Sequence, residues 1–253
     1  MKTTHGLLAF ALMVVPAAPA VAQYQTIDLS THTNSVFFNA GIINGGYFPF
    51  GPQTLGGIPF LIDQSIGEVP QARGWFSSMV AQPNPVSLVI PVNIFGVDRV
   101  YTLINTIWGQ AGPPSYASLT FTGSAGDVFV MQLVGGVDIR DYSQGLFTNT
   151  INGTTTVQVF SIQDVIALPG FQRLDRQEID LPAAFLNQTL TSVTLTDIGA
   201  ENFSRVFLSG ITAQQYSTVP EPSTIWPVLL GTIGIAVYMR RRRRPHNTFP
   251  VTT

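Results

Sequence analysis

The stretch Val86-Ser87-Leu88-Val89-Ile90-Pro91-Val92-Asn93-Ile94 sets Val86, Leu88, Ile90, Val92 and Ile94 at every second position. That is the period of a strand, whose successive side chains point to opposite faces, and not the 3.6 of a helix. Working outward, the same alternation returns. Leu119 and Phe121 lie among Ser118, Thr120 and Thr122; Val157 and Val159 alternate with Thr156 and Gln158. Val193 and Leu195 alternate with Ser192, Thr194 and Thr196, and Val206 and Leu208 close the series. Breakers separate these runs: Gly45-Gly46, Gly56-Gly57, Gly112-Pro113-Pro114, Gly123 to Gly126, Gly135-Gly136 and Asn152-Gly153. Asn152-Gly153 predicts a type I′ hairpin, and Leu181 to Leu186 a short helical turn capped by Asp180. No amphipathic helix of ten or more residues interrupts the series. Many short strands with regular turn signals predict an all-β fold, a jelly-roll β-sandwich over residues 23–218. Fifteen of the seventeen phenylalanines fall in that body and supply core volume without disulfides.

Composition narrows the chemistry. The chain has 253 residues, no cysteine and only 10% charged side chains, which excludes disulfide scaffolds, thiol catalysis and charge-driven disorder. From Gln23 to Thr218 there are six arginines, no lysine and thirteen carboxylates, a balance of −7. Nucleic-acid affinity comes mostly from Lys and Arg on phosphates, so nucleic acid is not an expected partner. His32 is the single histidine of the body, no Gly-x-Ser-x-Gly elbow accompanies it, and no phosphate loop occurs. These absences call for no cofactor. Carboxylates are the remaining route to catalysis: Asp138 and Asp141 bracket Arg140, and Asp175, Glu178 and Asp180 cluster about Arg173 and Arg176. Salt-bridged turns account for both clusters. A calcium ion on Asp138 and Asp141, or a hydrolase using paired carboxylates, are the alternatives. Tyr47, Phe48, Phe50, Trp75, Trp108 and Tyr116 stand beside or close to Gly or Pro in loops, and among them Trp75 and Trp108 are the candidate sugar contacts.

Both termini read as addresses. Lys2, the apolar run Gly6–Val15 and the small residues Ala20-Val21-Ala22 predict a secretory signal peptide over residues 1–22. Near the other end, Val219-Pro220-Glu221-Pro222 precedes an apolar stretch from Ser223 to Met239, then the run Arg240, Arg241, Arg242, Arg243 and Arg244. The stretch holds seventeen residues, the lower limit for a single transmembrane helix. The arginines form a stop that the positive-inside rule keeps cytoplasmic, with residues 245–253 as a short cytoplasmic tail and the body outside.

Pro-Glu-Pro, an apolar span and an arginine cluster in that order resemble the PEP-CTERM sorting signal of Gram-negative bacteria, over residues 219–244. The resemblance implies that an exosortase-type sorting enzyme reads Val219, Pro220, Glu221 and Pro222, making Glu221 a recognition element in a substrate. It also implies passage through the membrane to the cell surface or beyond. The extension after Arg244 is longer than usual for the signal. Four body segments resemble exported bacterial proteins with a galactose-binding-like jelly roll: Gly57–Phe60, Val100–Gly109 (VYTLINTIWG), Gly136–Tyr142 (GVDIRDY) and Arg173–Pro182 (RLDRQEIDLP). Taken together, the expectation is a non-enzymatic, exported envelope or matrix protein associated with exopolysaccharide.

Overall fold

The structure, a computed structural model, describes residues 22–37, 47–77, 85–109, 112–144, 150–163, 171–198 and 205–216. The expected signal peptide, apolar span, sorting box and arginine run lie outside the described residues, residue 22 excepted. Among the described residues no helix is long and apolar enough to cross a membrane. Residues Ala22–Tyr216 form one compact all-β unit.

Among the described residues thirteen strands follow in chain order: β1 (Gln23–Thr26), β2 (Ser35–Val36), β3 (Gly51–Leu55), β4 (Ile58–Ile62), β5 (Arg73–Phe76), β6 (Val86–Phe95) and β7 (Val97–Ile107). Then come β8 (Gly112–Gly123), β9 (Val128–Gly135), β10 (Thr156–Gln163), β11 (Phe171–Asp180), β12 (Thr189–Asp197) and β13 (Arg205–Gln215). One sheet has the order β10-β11-β7-β13-β5-β2, with β1 also on β13; a second has the order β6-β12-β8-β9; β3 and β4 form a separate hairpin. The chain passes repeatedly from one large sheet to the other, and the two share a core of Leu88, Ile90, Leu119, Phe121, Val193, Leu195, Val100, Ile104, Val206 and Leu208 among others. They form a β-sandwich.

The alternating strands behave as their period requires. In β6, β8 and β12 the apolar alternates face the shared core, and the Ser and Thr alternates face outward. Pro91 has no N–H to give a ladder, and β6 is an edge strand, where that lack costs least. Between Pro91↔Ser192 and Ile94↔Leu190 the register slips by one residue; Asn93 takes φ 57 there, a bulge that keeps Ile94 on the core side.

The larger sheet is covered on both faces. Its other side carries a second cluster that includes Phe37, Phe48, Phe60, Phe76, Leu103, Ile107 and Phe207, roofed by the β3–β4 hairpin. Phe207 touches the rings of Phe76 and Phe37 at 5.2 and 5.6 Å, and Phe37 reaches Phe48 at 5.0 Å. Each such ring pair contributes about 0.5–1.5 kcal/mol beyond area burial. Most of the buried phenylalanines therefore lie here, with Phe121 and Phe185 in the inter-sheet core. Double coverage also explains why β7 and β13 are buried over nearly their whole length.

Two local expectations change. The two-residue hairpin is Gly56-Gly57, both at positive φ (59 and 81), and it joins β3 to β4. At Asn152-Gly153 the described residues form no hairpin: the Asn152 carboxamide accepts the N–H groups of Thr154 and Thr156, an Asx turn that feeds β10. The helical turn is a 3-10 segment at Ala183–Asn187 whose cap position is Pro182, a side chain that can make no cap bond; Asp180 lies outside the turn and pairs with Arg99 at 2.6 Å.

Candidate functional site

The ladder between β7 and β11 runs from Arg99↔Asp180 to Leu103↔Arg176 and then opens into a fork. The segment Arg140–Ser143 fills it. Thr106 N–H donates to the Arg140 carbonyl and Tyr142 N–H to the Thr106 carbonyl on one side; Arg173 N–H donates to the Tyr142 carbonyl on the other. Inside the fork, Asn105 replaces the missing ladder, accepting the Asp175 N–H at 2.9 Å and donating to the Asp175 carboxylate at 2.8 Å. Arg140 closes on that carboxylate with two 2.7 Å bonds and reaches Gln158 at 3.1 Å. All but Gln158 are buried. A buried charge is tolerated only when paired and hydrogen-bonded, and the Arg140–Asp175 pair meets both conditions. Burial, with Arg140 as a second cation nearby, pulls the Arg173 guanidinium down to about 10.

Where β7 leaves the sheet, this fork sets the position of a tryptophan. Ile107, the cross-strand partner of Arg205, is the last residue of β7. Trp108 follows in the left-handed region at φ 59, a conformation that a bulky side chain rarely adopts. The Asp141 carboxylate holds the turn, accepting the N–H of Gly109 at 3.1 Å, the N–H of Ser143 at 2.7 Å and a further backbone bond from Trp108. Burial pushes Asp141 up to about 6, opposed by those backbone bonds and by Arg173. The Arg205 guanidinium lies 5.4 Å from the centre of the Trp108 ring, within cation–π range, and burial lowers its pKa. The Trp108 side chain remains 39% exposed. At the same end of the sandwich Ser77 hydrogen-bonds Asp197, tying β5 to β12. This is the end from which β5, β7, β10 and β12 each lead into their next connection.

The sequence-derived candidates are thereby sorted. Trp75 is 7% exposed and belongs to the inter-sheet core, so its ring is enclosed by side chains and offers no stacking face. Asp138 and Asp141 do different work: Asp138 accepts the Val134 N–H at 3.1 Å, while Asp141 holds the Trp108 turn. Among the described residues no group of three or more His, Cys, Asp or Glu could hold a metal ion. Asp175 has both oxygens engaged by Arg140 and Asn105. Tyr47 is exposed and Phe48 buried. Arg205 lies in no segment that the sequence singled out, and Asn105 was not picked out as an individual residue; Val100–Gly109, which contains Asn105, Gly136–Tyr142 and Arg173–Pro182, three segments noted for resemblance, converge on this fork and were the available signal.

Comparison with known proteins bears on the other terminus. None of the curated proteins matches the chain. Among solved structures, an exo-beta-agarase is similar at 14% identity and a TM-score of 0.31, over 76% of this chain; the chain spans about a quarter of that protein's length (25%). A likeness at that level carries no argument about fold or activity. A family model described as the PEP-CTERM protein-sorting motif matches residues 218–244, which contain the Pro220-Glu221-Pro222 box, the apolar stretch and the arginine run. The chain thus carries a PEP-CTERM protein-sorting motif, the mark of an exported protein handled by exosortase-type machinery.

Proposed function

We propose that this is an envelope or matrix protein whose body, a jelly-roll β-sandwich, acts as a surface-interaction module that contacts exopolysaccharide through Trp108. A signal peptide over residues 1–22 would start its export. Residues 223–239 would hold it in the membrane, with Arg240–Arg244 and the 245–253 tail on the cytoplasmic side, until an exosortase-type enzyme acts at the Pro220-Glu221-Pro222 box. Repeated passage of the chain between the two sheets supports the jelly-roll reading.

The observation that carries the binding role is Trp108. An indole kept partly open to solvent in a strained backbone conformation costs stability, on the order of 1–3 kcal/mol. Three backbone bonds to one buried carboxylate and a guanidinium against the ring maintain it. Rings offered this way stack on sugar rings, and a rigid scaffold removes the ordering cost of binding. The engagement of Asp175 by Arg140 and Asn105 favours binding over hydrolysis.

The test is retention of the full-length protein on exopolysaccharide from its host, compared with Trp108→Ala and Trp108→Gly. Glycine adopts positive φ without strain, so Trp108→Gly is expected to melt at or above the parent temperature and to lose retention. Undiminished retention in Trp108→Gly would remove the site.

A further inference from the structure

Every cation of the body is already committed. The body contains six arginines and no lysine. Arg140 is closed on Asp175, Arg73 on Asp63 at 3.3 Å, and Arg99 on Glu178 and Asp180 at 2.9 and 2.6 Å. Arg176 reaches Glu178 at 3.4 Å, donates to the Gly56 carbonyl at 2.6 Å and lies 5.4 Å from the centre of the Tyr101 ring. Arg173 is buried and donates to the Asp141 carbonyl at 3.1 Å, and Arg205 is buried against Trp108. The carboxylates are arranged differently. Asp28, Glu68, Asp127 and Asp180 are exposed, and the body balance is −7. The charged residues avoid the four-stranded sheet, too: β6, β8, β9 and β12 contain one, the buried Asp197. Their outward side chains include Ser87, Ser118, Thr120, Thr194 and Thr196.

From this inventory we infer that the glycan contacted at Trp108 is an uncharged polysaccharide, one without uronate, sulfate or phosphate groups. Polyanions are recognised by guanidinium and ammonium groups that are free to give charge-assisted bonds, and none of the six arginines is both exposed and unpaired. Releasing one would break an ion pair or expose a buried group. Long-range attraction has the wrong sign as well, since an acidic polymer approaching a body of −7 is repelled. Indole stacking and hydroxyl hydrogen bonds, by contrast, suit neutral hexose rings. The inference rests on the Trp108 reading and adds the ligand class to it.

An array of neutral polysaccharides (galactan, glucan, mannan), uronate polymers (alginate, polygalacturonate) and sulfated polymers, probed with the full-length protein at neutral pH, separates the two claims. Expected is retention on a neutral member, lost in Trp108→Gly and insensitive to salt, with uronate and sulfated polymers weaker by at least about tenfold. Retention on an acidic polymer that strengthens as salt is lowered, yet is lost in Trp108→Gly, would overturn the ligand class and leave the site intact. Retention on no polysaccharide, or retention on a neutral polysaccharide unaffected by Trp108→Gly, would overturn both; retention on acidic polymers is read in a background where Arg240–Arg244 are changed to glutamine, so that this run cannot supply it.

Discussion

Asp141 shows how much one side chain determines locally. Its carboxylate is enclosed by backbone N–H groups from two segments, so removing it leaves those donors without an acceptor. Asp141→Ala is expected to cost about 2–3 kcal/mol in denaturant unfolding. Its titration has a definite sign. The folded-state value, about 6, lies above the ordinary 3.8, so the native state holds the proton more tightly than the unfolded chain. The group therefore favours folding at low pH, and that contribution is lost as pH rises from about 4 through about 6. The full difference is on the order of 3 kcal/mol. Asp141→Asn cannot ionise, and its unfolding free energy should fall less across that window than the parent's. An equal slope in both proteins would assign the titration to another group.

At the scale of the element, the fork between β7 and β11 is the least conventional part of the sandwich. Two strands that separate ordinarily leave unpaired ladder groups; here Asn105, Asp175 and the inserted Arg140–Ser143 segment answer them. Breaking a buried pair from one side leaves the other charge uncompensated. Asp175→Ala is accordingly expected to destabilise by about 3–5 kcal/mol, measured by chemical denaturation. Arg140→Ala should cost a similar amount, and the double variant less than the sum, because each single change already abolishes the same interaction. Additive losses would mean that the two side chains act independently. The alternation in β6, β8 and β12 was legible from sequence because those strands bury one face only. β11 was not: its Arg173, Asp175 and Gln177 are buried, and nothing in a one-dimensional pattern distinguishes a buried charged strand from a solvated one. β10 misled for a related reason, since Thr156 turns inward to donate to the Asp138 carbonyl at 2.8 Å.

For the whole molecule, the division of labour is between a body of Ala22–Tyr216 and a C-terminal address at 218–244. The address can be tested without reference to the body. A Pro220→Ala/Glu221→Ala variant, expressed in a host with an exosortase, should accumulate as the full-length, membrane-associated form on an immunoblot, while the parent is processed. Normal processing of the variant would take the Pro-Glu-Pro box out of recognition. The body should melt at the same temperature in both, since the changed residues lie beyond its last strand.

The amino-acid order alone was sufficient for the all-β class, for the inward faces of β6, β8 and β12, and for the sorting motif. Each of these depends on local spacing: the two-residue period of a strand, or a box, apolar stretch and basic run in series. What required the tertiary structure was the fate of residues whose partners are distant in the chain. Trp75 and Trp108 look equivalent in sequence, yet one is enclosed by two sheets and the other is held out by Asp141, thirty-three residues away. Likewise, the charge count was readable at once, but only folding showed that every arginine of the body is already engaged. Burial and pairing depend on which strands become neighbours, and that is decided by the packing of the two sheets.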